Sequence, residues 1–352
     1  MIKDPLTSLL HFFEPEKVHD FVIRSMNWMG DKNLLFKPTK FPPLFVNDTP
    51  WANPFGLAAG FDKNAQAYPF LAHLGFGSME LGTITLHPQE GNQKPRIFRY
   101  SKDLSLRNSM GFPNHGFEQI AKRLPLKDFQ IPWGINIGPN KNLKTHQAMA
   151  DLLNLVSQSQ HFSHSWITLN ISSPNTIGLR NLDEAWLKEL FQELKNSINL
   201  KKIFLKISPD INQEQTLLYH QLASDFKLGA LIATNTTIMP SLGSGGVSGK
   251  WLKPISESIW KNLLNLKPTY EVIAVGGFSH FNDWLDLWAQ GGKAAQFYTS
   301  FIYSGIPLMK HLSYSYGKFL LFINEDINVF FSRPLSERKI IINDFLKYFK
   351  NY

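Results

Sequence analysis

The feature that most restricts this chain is a repeated switch from a short apolar run to a helical period. Runs suited to strands covered on both faces occupy Phe55–Ala59, Ser78–Leu81, Trp133–Ile137, Trp166–Asn170, Phe204–Ser208, Ala230–Ala233, Val272–Val275 and Ala294–Tyr298. Helical stripes lie between them. Ala148, Leu152, Leu155 and Val156 form one, and Leu187, Leu190, Phe191, Leu194 and Ile198 form another after an N-cap at Asp183. Asn212 and Gln215 are spaced as a capping box before Leu218 and Leu222. Strands alternating with helices in this way predict an α/β fold, a (β/α)8 TIM barrel closed on itself rather than an open sheet.

Two pieces stand outside the alternation, so the chain divides into 1–45, a barrel over 46–312 and a C-terminal helical extension over 313–352. Residues 1–45 read as an N-terminal helical hairpin, about 5–13 and 15–29, ended by Pro38, Pro42 and Pro43. Val18, Phe21, Val22, Met26 and Met29 make an apolar stripe beside Phe12, Phe13 and Trp28. That stripe suits a lid packed on the barrel, or a face that meets a membrane or admits a hydrophobic substrate. In the tail, Ile341, Phe345, Tyr348 and Phe349 mark an amphipathic helix, either docked on the body or lying on a membrane surface. No run of 18 apolar residues exists to span a bilayer, and the first residues lack a signal-peptide core. A protein kept on the cytoplasmic side is expected.

Composition removes further classes. The chain has 0 Cys, which excludes disulfides, thiolate-held metals and a cysteine nucleophile or base. Its formal charge of +8 suits an anionic partner, whether a phosphorylated cofactor, an acidic substrate, a membrane surface or nucleic acid, and equally suits a solvated Lys-rich surface.

Function in a barrel sits at the carboxyl ends of its strands. Here those ends carry Ala59, Gly60 and Lys63, then Thr83, Asn136, Asn170 with Ser173 and Asn175, Lys206, and Thr234, Asn235 and Thr236. The set is rich in neutral amides and hydroxyls, with no metal-type cluster. It can hold a planar, multiply hydrogen-bonding molecule without hydrolysing it. Glycines at 245, 246, 249, 276 and 277, with Tyr298 and Thr299, stand where barrels bind phosphate.

The segments Asn53–Lys63, Asn108-Ser109-Met110-Gly111-Phe112, Gly134–Gly138, Asn170–Thr176, Ala233–Thr237, Gly246–Gly249 and Val275–Gly277 together resemble the dihydroorotate dehydrogenases, in order from about residue 5 to 312. The similarity is to class 2, the membrane-associated, quinone-using branch. It implies oxidation of dihydroorotate to orotate in pyrimidine biosynthesis, with FMN taking the hydride and a quinone the electrons. Class 1 relatives use a Cys base, and Ser173 stands at the class 2 position. The resemblance implies substrate contacts at Lys63, Asn108, Ser109, Met110, Gly111, Phe112, Asn170, Asn175, Asn235 and Thr236. It implies flavin contacts at Ala59, Gly60, Lys63, Thr83, Asn136, Asn170, Lys206 and Thr234, with the phosphate end at Gly249, Gly277, Tyr298 and Thr299. His19 and Arg99 match quinone-tunnel residues, and the hairpin implies a peripheral place on the cytoplasmic side of the cell membrane. Ser109 departs from the Arg or Tyr of many relatives, and the segment from Thr237 to Gly245 is short.

Two other readings fit less well. Dihydrouridine synthases, FMN barrels with an RNA partner, carry their acid on a Cys that this chain lacks. A barrel that only binds nucleic acid leaves Ser173, Lys63 and Lys206 without a role, so no nucleic-acid partner is expected.

Overall fold

Eight parallel strands close into a barrel in the order in which the chain makes them, as a computed structural model describing residues 5–30, 37–125, 129–173 and 183–350 shows. They are β1 (Phe55–Leu57), β2 (Ser78–Ile84), β3 (Trp133–Ile137), β4 (Trp166–Asn170), β5 (Ile203–Ile207), β6 (Ala230–Ala233), β7 (Glu271–Val275) and β8 (Ala295–Phe297). The expected strands are all present. β2 runs on to Ile84 and β1 stops at Leu57. Nearly every strand residue is buried, which is why the strands read as unbroken apolar runs. The helices between them are capped where expected: Asp183 Oδ1 accepts from Trp186 N at 2.8 Å, and Asn212 and Gln215 bond reciprocally.

The amino-terminal end of the barrel is plugged by a hairpin, Leu44–Val46 against Thr49–Trp51, whose turn places Asn47 and Asp48 at φ 47° and 59°. Trp51 stacks on Trp166 at 5.7 Å, and Trp166 on Phe204 at 5.3 Å. At the other end lies a four-stranded antiparallel sheet that the sequence pattern did not reveal. It joins Ile97–Tyr100 and Ser105–Asn108, from the β2–β3 connection, to Gly246–Gly249 and Thr237–Ile238, from the β6–β7 connection.

The hairpin helices are α1 (Pro5–Leu10) and α2 (Pro15–Met29). The expected apolar stripe is divided. Ile23 and Met26 are buried, and Val22 and Met29 pack on the core, while Phe21 joins Leu9, Phe12, Phe13 and Trp28 in facing outward. α2 is stapled by Glu16, whose carboxylate takes Arg96 Nε and Nη2 at 3.1 and 2.7 Å. Burial pushes the Glu16 carboxyl up, but Arg96 and Lys94 outweigh it and hold the pKa below its usual value.

The tail is docked on the barrel. A helical stretch from Thr299 to Ile323, broken at Gly305, crosses the 312/313 boundary and leads into helices Ile327–Ser332 and Leu335–Lys350. Phe345 is 4% exposed and sits 6.2 Å from Phe281 and 5.1 Å from Phe319. Asn328 bonds Phe45 N and Pro43 O, so the tail also clasps the plug. No described helix is long and apolar enough to cross a membrane. Phe345→Ala should destabilise the protein by about 3–5 kcal/mol in denaturant unfolding. A change below about 1 kcal/mol would mean that the tail is not part of the cooperative core.

Candidate active site

The strand ends converge on a cavity of about 430 Å³ roofed by the antiparallel sheet. Ala59, Gly60 and Lys63 follow β1, Thr83 is the last residue but one of β2, and Asn170 and Ser173 end and follow β4. Lys206 comes from β5, and Thr234, Asn235 and Thr236 follow β6. Asn108, Met110, Gly111 and Phe112 close one side, and Gly249, Gly277, Tyr298 and Thr299 the opposite end. Most of the expected site residues therefore line one cavity, although they come from seven separate connections.

Some do not. Asn136 is fully buried one layer behind, reaching the wall through Thr83 Oγ1 at 2.6 Å and Asn170 Nδ2 at 3.3 Å. Ser109 does not line the cavity, and its N–H is spent on Arg96 O at 2.8 Å. Asn175 lies outside the described residues. Glu80 was missed altogether. It is buried in mid-barrel and receives Asn136 Nδ2 at 2.9 Å. A carboxylate inside an apolar strand was the available signal.

The two site lysines differ in setting. Burial lowers the Lys206 pKa, with Glu80 opposing, so the barrel's own carboxylate helps keep this ammonium charged. Lys63 is pushed down to about 8, mainly by burial and secondarily by Arg96, against the pull of Asp20, Glu16 and Asp62. The turn that carries Lys63 is pinned by Asp62, whose carboxylate accepts from Gln66 N at 2.8 Å and Ala67 N at 2.7 Å.

Known proteins match this arrangement. A family model described as dihydroorotate dehydrogenase covers residues 45–320. A dihydroorotate dehydrogenase (quinone) of a Nitratiruptor species is 38% identical over 328 residues, spanning 88% of this chain and 92% of the relative. One from Sulfurimonas denitrificans is 40% identical, over 74% of this chain and 76% of the relative. The crystal structure of DHODH from Eimeria tenella in complex with ferulenol superposes with a TM-score of 0.77 at 29% identity, covering 93% of this chain and 94% of that one. The chain belongs to the dihydroorotate dehydrogenase family.

In this member of the family, a second cleft of about 1100 Å³ opens beside the first, and Lys63, Met110 and Pro113 line both. His19 faces that cleft and packs edge-on against Phe61 at 5.4 Å. Burial, aided by Lys63, pushes its pKa down to about 3, so it is neutral at physiological pH. Arg99 lines neither cavity. Its guanidinium donates to Leu10 O at 3.3 Å and to Phe13 O, at the turn between α1 and α2.

Lys63 is charged below about pH 8 and neutral above it, so it attracts a carboxylate ligand only on the acid side. Orotate affinity, followed by difference absorbance, should fall as pH rises through about 8. Lys63→Met should be weaker by about tenfold at pH 7 and flat across that range. A pH-independent affinity in the unsubstituted protein would remove Lys63 from anion recognition.

Proposed function

We propose that this chain oxidises (S)-dihydroorotate to orotate in pyrimidine (UMP) biosynthesis, with FMN as hydride acceptor and a membrane quinone as final electron acceptor. One observation carries the reading. Ser173, only 3% exposed, lines the same cavity as Lys206, Asn108, Asn170 and Asn235, in a chain with 0 Cys.

The wall fits a flat, phosphorylated ring system. Gly249 and Gly277 have φ 89° and 76°, and a Cβ at Gly277 would lie 2.4 Å from the Lys253 Cβ. Bare backbone can therefore meet phosphate at the end bounded by Tyr298 and Thr299. Ala59, Gly60, Thr83, Asn170 and Thr234 would border the ring, with Lys206 beside the edge that becomes negative on reduction. Bound there, FMN supplies the hydride acceptor and the relay of two electrons to quinone.

The chain's own residues do the rest. Ser173 Oγ takes the C5 proton while hydride leaves C6, which balances the two-electron oxidation. A serine hydroxyl is a weak base, so its proton must pass on through a hydrogen-bonded water or hydroxyl. Asn108, Asn235 and Thr236, with Asn175, fix the ring's pose without adding charge that competes for protons. Lys63 offsets the substrate carboxylate.

The hairpin suits a peripheral place on the cytoplasmic side of the cell membrane. Phe12 and Trp28 are 87% and 85% exposed, next to Leu9, Phe13 and Phe21, on a chain of net charge +8. Such a face enters the boundary between headgroups and acyl chains and is drawn to anionic lipid. His19, on α2 of the hairpin, and Arg99, which bonds the hairpin turn, are the residues through which quinone access is read.

The purified protein should be yellow, bleached anaerobically by dihydroorotate and recoloured by a quinone. Ser173→Ala should slow bleaching by about 10²–10⁴-fold with FMN retained, whereas an unchanged rate would remove Ser173 as the base. Replacing Phe12, Phe13 and Trp28 together by Ser should cut co-sedimentation with phosphatidylglycerol vesicles and spare flavin reduction. Undiminished sedimentation would place the membrane face elsewhere.

A further inference from the structure

Beneath the site, in mid-barrel, Glu80 has 0% exposure and faces four neutral donors. Its Oε1 accepts from Trp166 Nε1 at 3.2 Å, Thr168 Oγ1 at 2.8 Å and Gln296 Nε2 at 3.0 Å, and its Oε2 from Asn136 Nδ2 at 2.9 Å. An ionised carboxylate can only accept, so this donor set fits the charged form. The reaction described above gives Glu80 no part.

Its consequence is directional. Asn136 must turn Nδ2 toward the carboxylate, which leaves Oδ1 facing the site. Thr83 gives its one hydroxyl proton to that oxygen at 2.6 Å, so its own oxygen accepts from Asn170 Nδ2 at 2.8 Å. Asn170 Oδ1 then accepts from Asn235 Nδ2 at 3.1 Å, and Asn235 Oδ1 from Thr236 N at 2.8 Å. All these protons point toward Glu80. An amide can be turned over at little steric cost, so the fixed ends of the line decide its sense: the carboxylate at one end only accepts, and the Thr236 N–H at the other only donates.

Resting on the functional reading above, we propose that Glu80 is a positioning residue: through three successive hydrogen bonds its carboxylate sets which polar atom Thr83 and Asn170 present to the cavity, in the same sense that the Thr236 N–H imposes on Asn235 from the other end. The charge also bears on Lys206, whose ammonium it favours against burial.

A carboxylate swap tests this. In Glu80→Gln, the three donors on one side hold the new oxygen, so the new amide nitrogen meets the Asn136 nitrogen donor to donor. Asn136 must turn over, and the line behind it loses its sense. In the double variant Glu80→Gln, Asn136→Asp, the Gln nitrogen donates to the Asp, whose other oxygen again accepts from Thr83 and Asn170. Direction and buried charge are both restored. Asn136→Asp alone sets two carboxylates against each other at the 2.9 Å contact.

The four proteins are compared by FMN release on dilution, read by flavin fluorescence, by the rate of anaerobic bleaching with dihydroorotate, and by thermal midpoint. Each single variant should bind FMN at least about tenfold more weakly and bleach more slowly, and the double variant should return to within about threefold of the unsubstituted protein. Glu80→Gln within twofold of the unsubstituted protein, or a double variant no better than the poorer single one, overturns the proposal. Should Glu80→Gln be insoluble, a soluble, yellow double variant supports the relay and an insoluble one overturns it. A colourless unsubstituted protein would sink the functional reading instead, and the relay would then be decided by whether the double variant recovers the thermal midpoint.

Discussion

A polar floor inside an apolar barrel has to satisfy its own hydrogen bonds, because no bulk water reaches it. Glu80 meets that requirement for four donors, although Gln296 Oε1 beside it has no partner among the described residues, and strand register makes the arrangement possible. Glu80 pairs with Gly134, which pairs in turn with Trp166. A Cβ at Gly134 would stand 2.1 Å from Trp166 Nε1, so only glycine lets the indole cross the strand toward the carboxylate. The same indole is the middle ring of the stack from Trp51 to Phe204 that closes the barrel's other end. Packing at the bottom and polar order at the top therefore share one side chain.

The roof depends on contacts between distant parts of the chain. Ser105–Asn108 is the centre of the antiparallel sheet, pairing with Ile97–Tyr100 on one side and Gly246–Gly249 on the other. Tyr303 OH donates to Ser105 O at 2.8 Å, and Thr7 Oγ1 bonds Tyr303 O at 3.4 Å. Arg96 leaves the same connection to hold Glu16, and Arg99 reaches the carbonyls at the hairpin turn. A hairpin with an exposed apolar face is thus tied, through few and mostly polar links, to the sheet that covers the cavity.

Most of the barrel was legible because strands buried on both faces cannot alternate, and their polar ends fall where turns begin. Helix caps at Asp183 and Asn212 were legible for the same local reason. The roof was not, since its two short hairpins meet across about 140 residues and each strand is too short to carry a period. The division of the α2 stripe was also hidden. Helical spacing tells that Phe21 and Met26 are apolar, not which of them the barrel covers. At the site, the wall residues were visible through the family resemblance, but their support was not. Glu80, Thr168 and Gln296 each sit as a polar residue within a buried strand, and such residues must find one another in the interior. Reading them as a set, rather than one strand at a time, would have exposed the network.

The two lysines of the cavity sit in different electrostatic settings. Lys63 stands where Asp20, Glu16 and Asp62 all favour its charge and yet burial still lowers its pKa to about 8. A carboxylate brought beside it would favour the proton, so anion binding and protonation would be coupled there. Lys206 has Glu80 as its electrostatic support and is buried at the end of β5. Glu80 acts on it through the field rather than through a direct ion pair, so an ammonium so placed would still respond to negative charge brought into the cavity.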